Sequence, residues 1–370
     1  YMNSNKKLLH FFLGANTPQG FVSRFDQLAD ASDGWRSFIL KGGPGTGKST
    51  LMKRVAKNVE EHCPLVEIIH CSSDVDSLDG VIAPAIKTSV ADGTAPHVVE
   101  PKYPGAFEQA IDLSRCWDEH ILFEQRQEIM LLAQRISRCH EHCCRFLAAA
   151  GSLLGDNWRI ALGATQIPKL QKAAARIADA EFKGSHGQKQ GHESIRFLSA
   201  ITNKGPVMFD ETAKTLCDRI YLIEDSYGAS SRLILNALRS RALEAGLDII
   251  SCYCPLSPFE KLEHLFIPSL KLGFMTSNYF HQPDIDPYKI VRSRRFTDED
   301  TIRKSRRRIN FNRKAAQQLL NEAASLLKEA YDLHDQLEAY YVKAMDFSLV
   351  DAISDSLLKK YAHILSQYDL

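Results

Sequence analysis

Gly42-Gly43-Pro44-Gly45-Thr46-Gly47-Lys48-Ser49, followed by Thr50, is the most informative run in the chain. It fits the pattern G-x-x-x-x-G-K-[ST], in which the glycines let the backbone curl so that successive N–H groups point at phosphate oxygens. Its flanks suit the pattern as well. Residues 36–40 are a short apolar run that predicts a buried strand, and residues 50–57 carry Leu51, Met52 and Val55 at helical spacing. Strand, glycine loop and helix together predict a cradle for the phosphates of ATP, with the positive end of the helix adding to the field. The expected contacts are residues 42–50: Gly42, Gly43, Pro44, Gly45, Thr46, Gly47, Lys48, Ser49 and Thr50. Lys48 would bring a cation to the β- and γ-phosphates, and Ser49 a hydroxyl to Mg2+.

Outward from the loop, the chain repeats itself. Residues 9–20 resemble 194–205, 36–40 resemble 219–223, 67–71 resemble 248–252, and 81–87 resemble 265–271, all in the same order. Such self-similarity predicts two copies of one module, here residues 1–180 and 194–370. The polar, Gly-containing stretch 181–193 would join them. In each copy strands alternate with helices, which predicts an α/β fold, a parallel sheet flanked by helices. The second strands are expected at 65–71 and 247–253, the third at 86–91 and 270–275. Each copy continues into a long helix with apolar residues three and four apart, Ile129 to Leu153 and Leu319 to Ala344. That spacing predicts coiled-coil-like arms. Residues 167–180 and 347–365 are expected as returning helices, so that each module carries its own helical hairpin.

A phosphate loop of this kind needs a carboxylate at the end of a neighbouring strand to hold Mg2+. Asp92, closing the run 86–91, is expected in that role with Ser49. Among Asp74, Asp76 and Asp79, Asp74 lies nearest the end of the second strand and is expected to orient a water or accept a proton. His97 is a candidate γ-phosphate sensor. In the second copy Asp225 faces Gly42, Ser231 faces Lys48, Arg232 faces Ser49 and Thr276 faces Asp92. The cradle, lysine, metal hydroxyl and metal carboxylate are absent together, which predicts one competent nucleotide site, in the first half.

The motifs at residues 14–21, 42–50, 70–82 and 92–97 resemble those of a bacterial family of tandem-repeat P-loop ATPase-like proteins. The resemblance spans nearly the whole chain and implies ATP binding by the first half. The second loop, without its glycines and lysine, departs from the family pattern.

Composition narrows the rest. Lys plus Arg is 46 against 45 for Asp plus Glu, a net charge of +1, so overall charge gives no argument for nucleic acid or an anionic membrane. No apolar run approaches a membrane span. Residues 1–7 lack a signal-peptide core and the nine cysteines form no paired framework, which together predict reduced thiols and a cytoplasmic protein. Cys139 and Cys143 fall on the helix seam and are expected to pack as small hydrophobes rather than bind metal. Residues 292–314 are strongly basic. They are candidates for a nucleic-acid contact, or, through Arg292, Arg294 or Arg295, for an arginine finger reaching the first-half nucleotide. The functional expectation is a Mg-dependent ATPase whose arms engage a protein partner. The alternatives are a small-molecule or nucleotide kinase with Asp74 as base, and a non-catalytic nucleotide-gated scaffold.

Overall fold

The computed structural model describes residues 7–184, 187 and 189–368. Ser185, His186 and Gln188 of the expected linker, and residues 1–6 of the N-terminal reading, lie outside the described residues. The first half contains β1 (Lys7–Phe11), the hairpin β2 (Gly14–Thr17) and β3 (Gly20–Ser23), β4 (Arg36–Lys41), α1 (Lys48–Glu60), β5 (Leu65–His70), β6 (Leu78–Ala83), β7 (Thr88–Asp92) and β8 (Glu108–Asp112). Three helices follow: α2 (Glu119–Glu124), α3 (Arg126–Gly163) and α4 (Ile167–Glu181). The second half contains β9 (Glu193–Arg196), the hairpin β10 (Ser199–Thr202) and β11 (Gly205–Met208), α5 (Asp210–Leu216), β12 (Arg219–Glu224), α6 (Ala229–Glu244), β13 (Ile249–Cys254), β14 (Ser257–Ile267), β15 (Leu272–Ser277) and β16 (Lys289–Arg292). It closes with α7 (Glu299–Lys304), α8 (Arg306–Ala344) and α9 (Phe347–Gln367).

The strands form two mixed, mostly parallel six-stranded sheets flanked by helices. Their orders are β1-β5-β6-β7-β4-β8 and β9-β13-β14-β15-β12-β16. The expectation of wholly parallel sheets is corrected by β6 and β14, each antiparallel to both of its neighbours. The physical reason is loop length. A parallel crossover needs a dozen or more residues. The links from His70 to Leu78 and from Ala83 to Thr88 are too short for one. The third strands also begin later than expected, because Pro84–Ile86 and Pro268–Leu270 wind into single 3-10 turns that end on Lys87 and Lys271, both at φ 47.

In β4 Phe38, Ile39 and Leu40 are all buried, as befits a strand covered on both faces. Phe38 and Leu40 pack with Leu51, Met52, Val55 and Val59 of α1. On the opposite faces, Leu9, Phe11, Ile69, Ile82 and Ala91 of the first sheet share a core with Ile220, Ile250, Cys252, Phe266 and Met275 of the second. The halves are also joined through their backbones: Phe12 and Phe197, both fully buried, exchange N–H···O bonds of 2.9 and 3.0 Å.

The helical arms pair differently from expectation. Instead of folding back on its own returning helix, α3 packs along α8. Cys143, Leu147 and Ala150 meet Ala316, Leu320, Ala323 and Leu327, while Leu132 and Cys139 meet Ala330, Leu333 and Leu337. A buried polar pair sets the register: Asn312 Nδ2 donates to Asn157 Oδ1 (2.9 Å), and Asn157 Nδ2 to the Ile309 carbonyl (3.2 Å). The returning helices then cross over. Leu170, Ala174 and Ala178 of α4 cover the second sheet, and Leu357, Tyr361, Ile364 and Leu365 of α9 cover α1 and the first. Backbone bonds stitch each crossing at its root, Asp118 N to Ala344 O and Asp346 N to Cys116 O at one, Gln166 N to Phe296 O and Asp298 N to Ala164 O at the other. No helix among the described residues is long and apolar enough to cross a membrane.

Candidate functional site

The 42–49 loop leaves the carboxyl end of β4, an interior strand flanked in parallel by β7 and β8. Its turn depends on backbone that side chains disfavour: φ is +66° at Gly45 and +87° at Gly47. Gly47 caps α1, which starts at Lys48. Thr46 is fully buried and its Oγ1 donates to the Gly43 carbonyl (2.9 Å), tying the loop across its middle. Thr50 is exposed in the first turn.

Lys48 reaches back over the loop. Its Nζ donates to the Gly42 and Gly43 carbonyls (2.9 and 2.7 Å) and stands 3.7 Å from Asp92 Oδ2. Asp92 closes β7, the strand beside β4, so the expected lysine and metal carboxylate meet at one point. Oδ1 of Asp92 accepts from the Thr94 amide and hydroxyl (2.8 and 2.6 Å), which fixes the carboxylate and leaves Oδ2 toward the lysine. Ser49 Oγ accepts from the Leu78 amide (3.0 Å). A serine hydroxyl and an aspartate are oxygen ligands of the kind Mg2+ takes.

Asp74 is engaged within its own turn. Its carboxylate accepts from the Asp76 amide and the Ser77 hydroxyl, capping its own turn. A second carboxylate, buried, is Asp79 of β6, one residue beyond Leu78. It is 4% exposed, and its Oδ2 lies 3.4 Å from Nε2 of His97, itself 7% exposed. The His97 ring is stacked on Phe25 (4.6 Å between centroids) and tilted against Phe21 (5.4 Å). Burial acts to lower the His97 pKa, but the charges of Asp79 and Asp92 outweigh it and hold the imidazole above its ordinary value. Neither Asp79 Oδ2 nor His97 Nδ1 has a hydrogen-bond partner among the described residues. Asp79 was hidden in the sequence among three spaced aspartates; only the antiparallel β6 separates it from the turn that holds the other two.

In the second half β12 also runs into a left-handed glycine, Gly228 (φ +73°), which caps α6. Six residues, 42–47, lie between β4 and α1, but only four, 225–228, between β12 and α6. With the capping glycines superposed, Ala229 stands for Lys48 and Ser230 for Ser49, which corrects the expected match to Ser231 and Arg232. Asp225 fills the shortened turn, its carboxylate accepting from the Tyr227 and Ser231 amides (3.2 and 2.7 Å). The Asp79–His97 contact has a counterpart in Glu263–His281 (3.8 Å). Ligand atoms of Glu263, His264 and His281 lie within 4.8 Å of one another, close enough to hold a metal. However, Lys261 Nζ donates to the same Glu263 carboxylate at 2.7 Å. Burial alone would raise the Glu263 pKa, but the Lys261 charge overrides it and holds the group well below the usual carboxylate range. That lysine is a fixed cation where a metal would need its own charge.

What covers the first-half loop comes from the far end of the chain. Tyr341 lies so close that a Cβ on Gly43 would come within 2.6 Å of its ring. A Cβ on Gly45 would lie 3.1 Å from the Glu338 carbonyl, and one on Gly47 3.4 Å from Val350. The Gly45 amide donates to Glu338 Oε1 (3.2 Å). Of the arginines named as a possible finger, Arg292, on β16, pairs with Glu224 at the end of β12 (3.1 Å), and Arg294 pairs with Glu299 (2.9 Å), while Arg295 is exposed beside them. Only Arg292 of the basic run sits on the second sheet, where β16 pairs with β12; the rest runs through α7 into the start of α8. Cys139 and Cys143 are buried in the arm seam, and the His140 ring turns to Asn16 (3.3 Å). Comparison of the chain with protein-family models, curated proteins and solved structures finds no match.

Proposed function

We propose that this chain is a Mg-dependent, ATP-binding P-loop NTPase with one competent site, in the first half, and that its two halves are copies of one module whose second member has lost its phosphate loop. The observation that carries the reading is the Lys48–Asp92 approach, a loop lysine and a carboxylate from the adjacent parallel strand converging at a helix N-terminus. Loop amides and Lys48 would hold the phosphates, and Ser49 and Asp92 would hold Mg2+. The metal, when bound, neutralises charge developing on the transferring phosphoryl group. Asp79, braced by His97, replaces Asp74 as the group that orients the attacking water and takes its proton. The matching strand orders and the exchanged contacts at the arm roots support duplication.

Two measurements test this. Titration of the full chain with ATP and Mg2+ should give one nucleotide per chain, because the four-residue second turn is filled by Asp225; two per chain would refute the one-site reading. Asp92→Asn and Asp79→Asn should each lower phosphate release by about 10²-fold or more while largely preserving ATP affinity. If Asp79→Asn turns over normally and Asp74→Asn does not, the assignment reverts to Asp74. The kinase reading, with Asp74 as base, predicts instead phosphoryl transfer to an added acceptor and loss of that transfer in Asp74→Asn. The scaffold reading draws support from the arm seated on the loop, and predicts tight ATP binding with no phosphate release.

A further inference from the structure

We infer that Glu338 is a built-in substitute for a nucleotide phosphate, and that nucleotide must displace it, and the arm that carries it, to bind. The inference rests on the P-loop reading above and adds to it how the site is controlled. Successive amides of such a loop are its anion donors. Here the Gly45 amide is already bonded to a carboxylate oxygen, Glu338 Oε1 at 3.2 Å. The loop's cation is likewise engaged internally, with Lys48 Nζ on the Gly42 and Gly43 carbonyls. Both devices meant for phosphate are therefore satisfied by the protein itself. The covering element is held close: the Tyr341 ring leaves no room for a side chain at Gly43, and the α8 backbone passes directly over Gly45.

The closure is also reversible by construction. The Glu338 side chain is 40% exposed, with His334 Nδ1 3.7 Å from its Oε1 and the Asp335 carboxylate within 4.8 Å of both. It can swing into water without stranding a buried charge. A di- or triphosphate brings more negative charge and more acceptor atoms than one carboxylate, so it competes for the same amide. Its apparent affinity is reduced by the fraction of molecules in which Glu338 has left. Because α8 is packed along α3, the displacement is read out in the arms.

The test uses the full chain and two probes, ADP with excess Mg2+ and inorganic pyrophosphate, measured by titration calorimetry. Glu338→Ala should bind both about tenfold more tightly than the unsubstituted protein. Glu338→Gln, which keeps the size and loses the charge, should move in the same direction. Circular dichroism establishes that each variant is folded; if Glu338→Ala fails this check, Glu338→Gln carries the test. Unchanged or weaker binding by a folded Glu338→Gln, with binding still lost in Lys48→Ala, would overturn the gate and leave the NTPase reading standing. Binding seen only after Glu338 is replaced would support the gate strongly. No binding of either probe by any form would overturn both readings together.

Discussion

Lys48→Ala should weaken ATP binding by about 10- to 100-fold or more while leaving the protein folded. Charge-assisted hydrogen bonds are worth roughly 1.5–3 kcal/mol each, and each 1.4 kcal/mol is about tenfold in affinity. The same side chain also ties the loop together and faces Asp92, so it contributes to the fold locally rather than to the apolar core. Without nucleotide its ammonium bonds two loop carbonyls and lies outside the apolar clusters around α1. The variant's melting temperature should therefore fall by a few degrees at most, with a cooperative transition retained. Calorimetric titration and thermal melts of the same preparation check both halves of the expectation. Unaltered ATP affinity would remove the phosphate-loop assignment, and with it the roles given to Ser49 and Asp92.

The second large effect is on stability and tests the crossing of the arms. Tyr361 lies on α9, near the end of the chain, yet it is 1% exposed against the first sheet, with Phe38 of β4 at 5.4 Å between ring centroids. Truncating a buried aromatic to alanine removes its transfer free energy and leaves a cavity that the surroundings fill incompletely, about 3–5 kcal/mol in total. Tyr361→Ala should lower unfolding stability by that amount in denaturant titrations. Since the lost contacts include those of α1, the helix that begins at Lys48, nucleotide affinity should fall as well. A loss below about 1 kcal/mol would mean that α9 does not pack on α1 in solution. If α9 instead closed a hairpin on α8, the substitution would spare α1 and the phosphate loop.

Much of the site was legible because its parts are contiguous. Residues 36–57 spell strand, loop and helix, and the positive φ values at Gly45 and Gly47 follow from the glycines. Asp92 was legible from the strand it ends. The arm seams were legible as stripes, since three-four spacing states which face of a helix is apolar. Spacing does not state what lies opposite, however, and α3 found α8 rather than the helix following it. The antiparallel turn of β6 depended on loop length rather than on composition, and it buried Asp79 against His97 while Asp74 stayed in the preceding turn. The shortened second loop was invisible to matching at constant length, because only the capping glycines fix how the two loops superpose. Glu338 lies 293 residues beyond Gly45, so nothing local connects them. Local backbone chemistry therefore determined the glycine loop, its helix and the carboxylate beside it. Only the tertiary structure decided the covering arm, the buried Asp79–His97 contact and the exchange of helices between the halves, because each is a contact between segments far apart in the chain, and packing alone selects which apolar faces and charges meet.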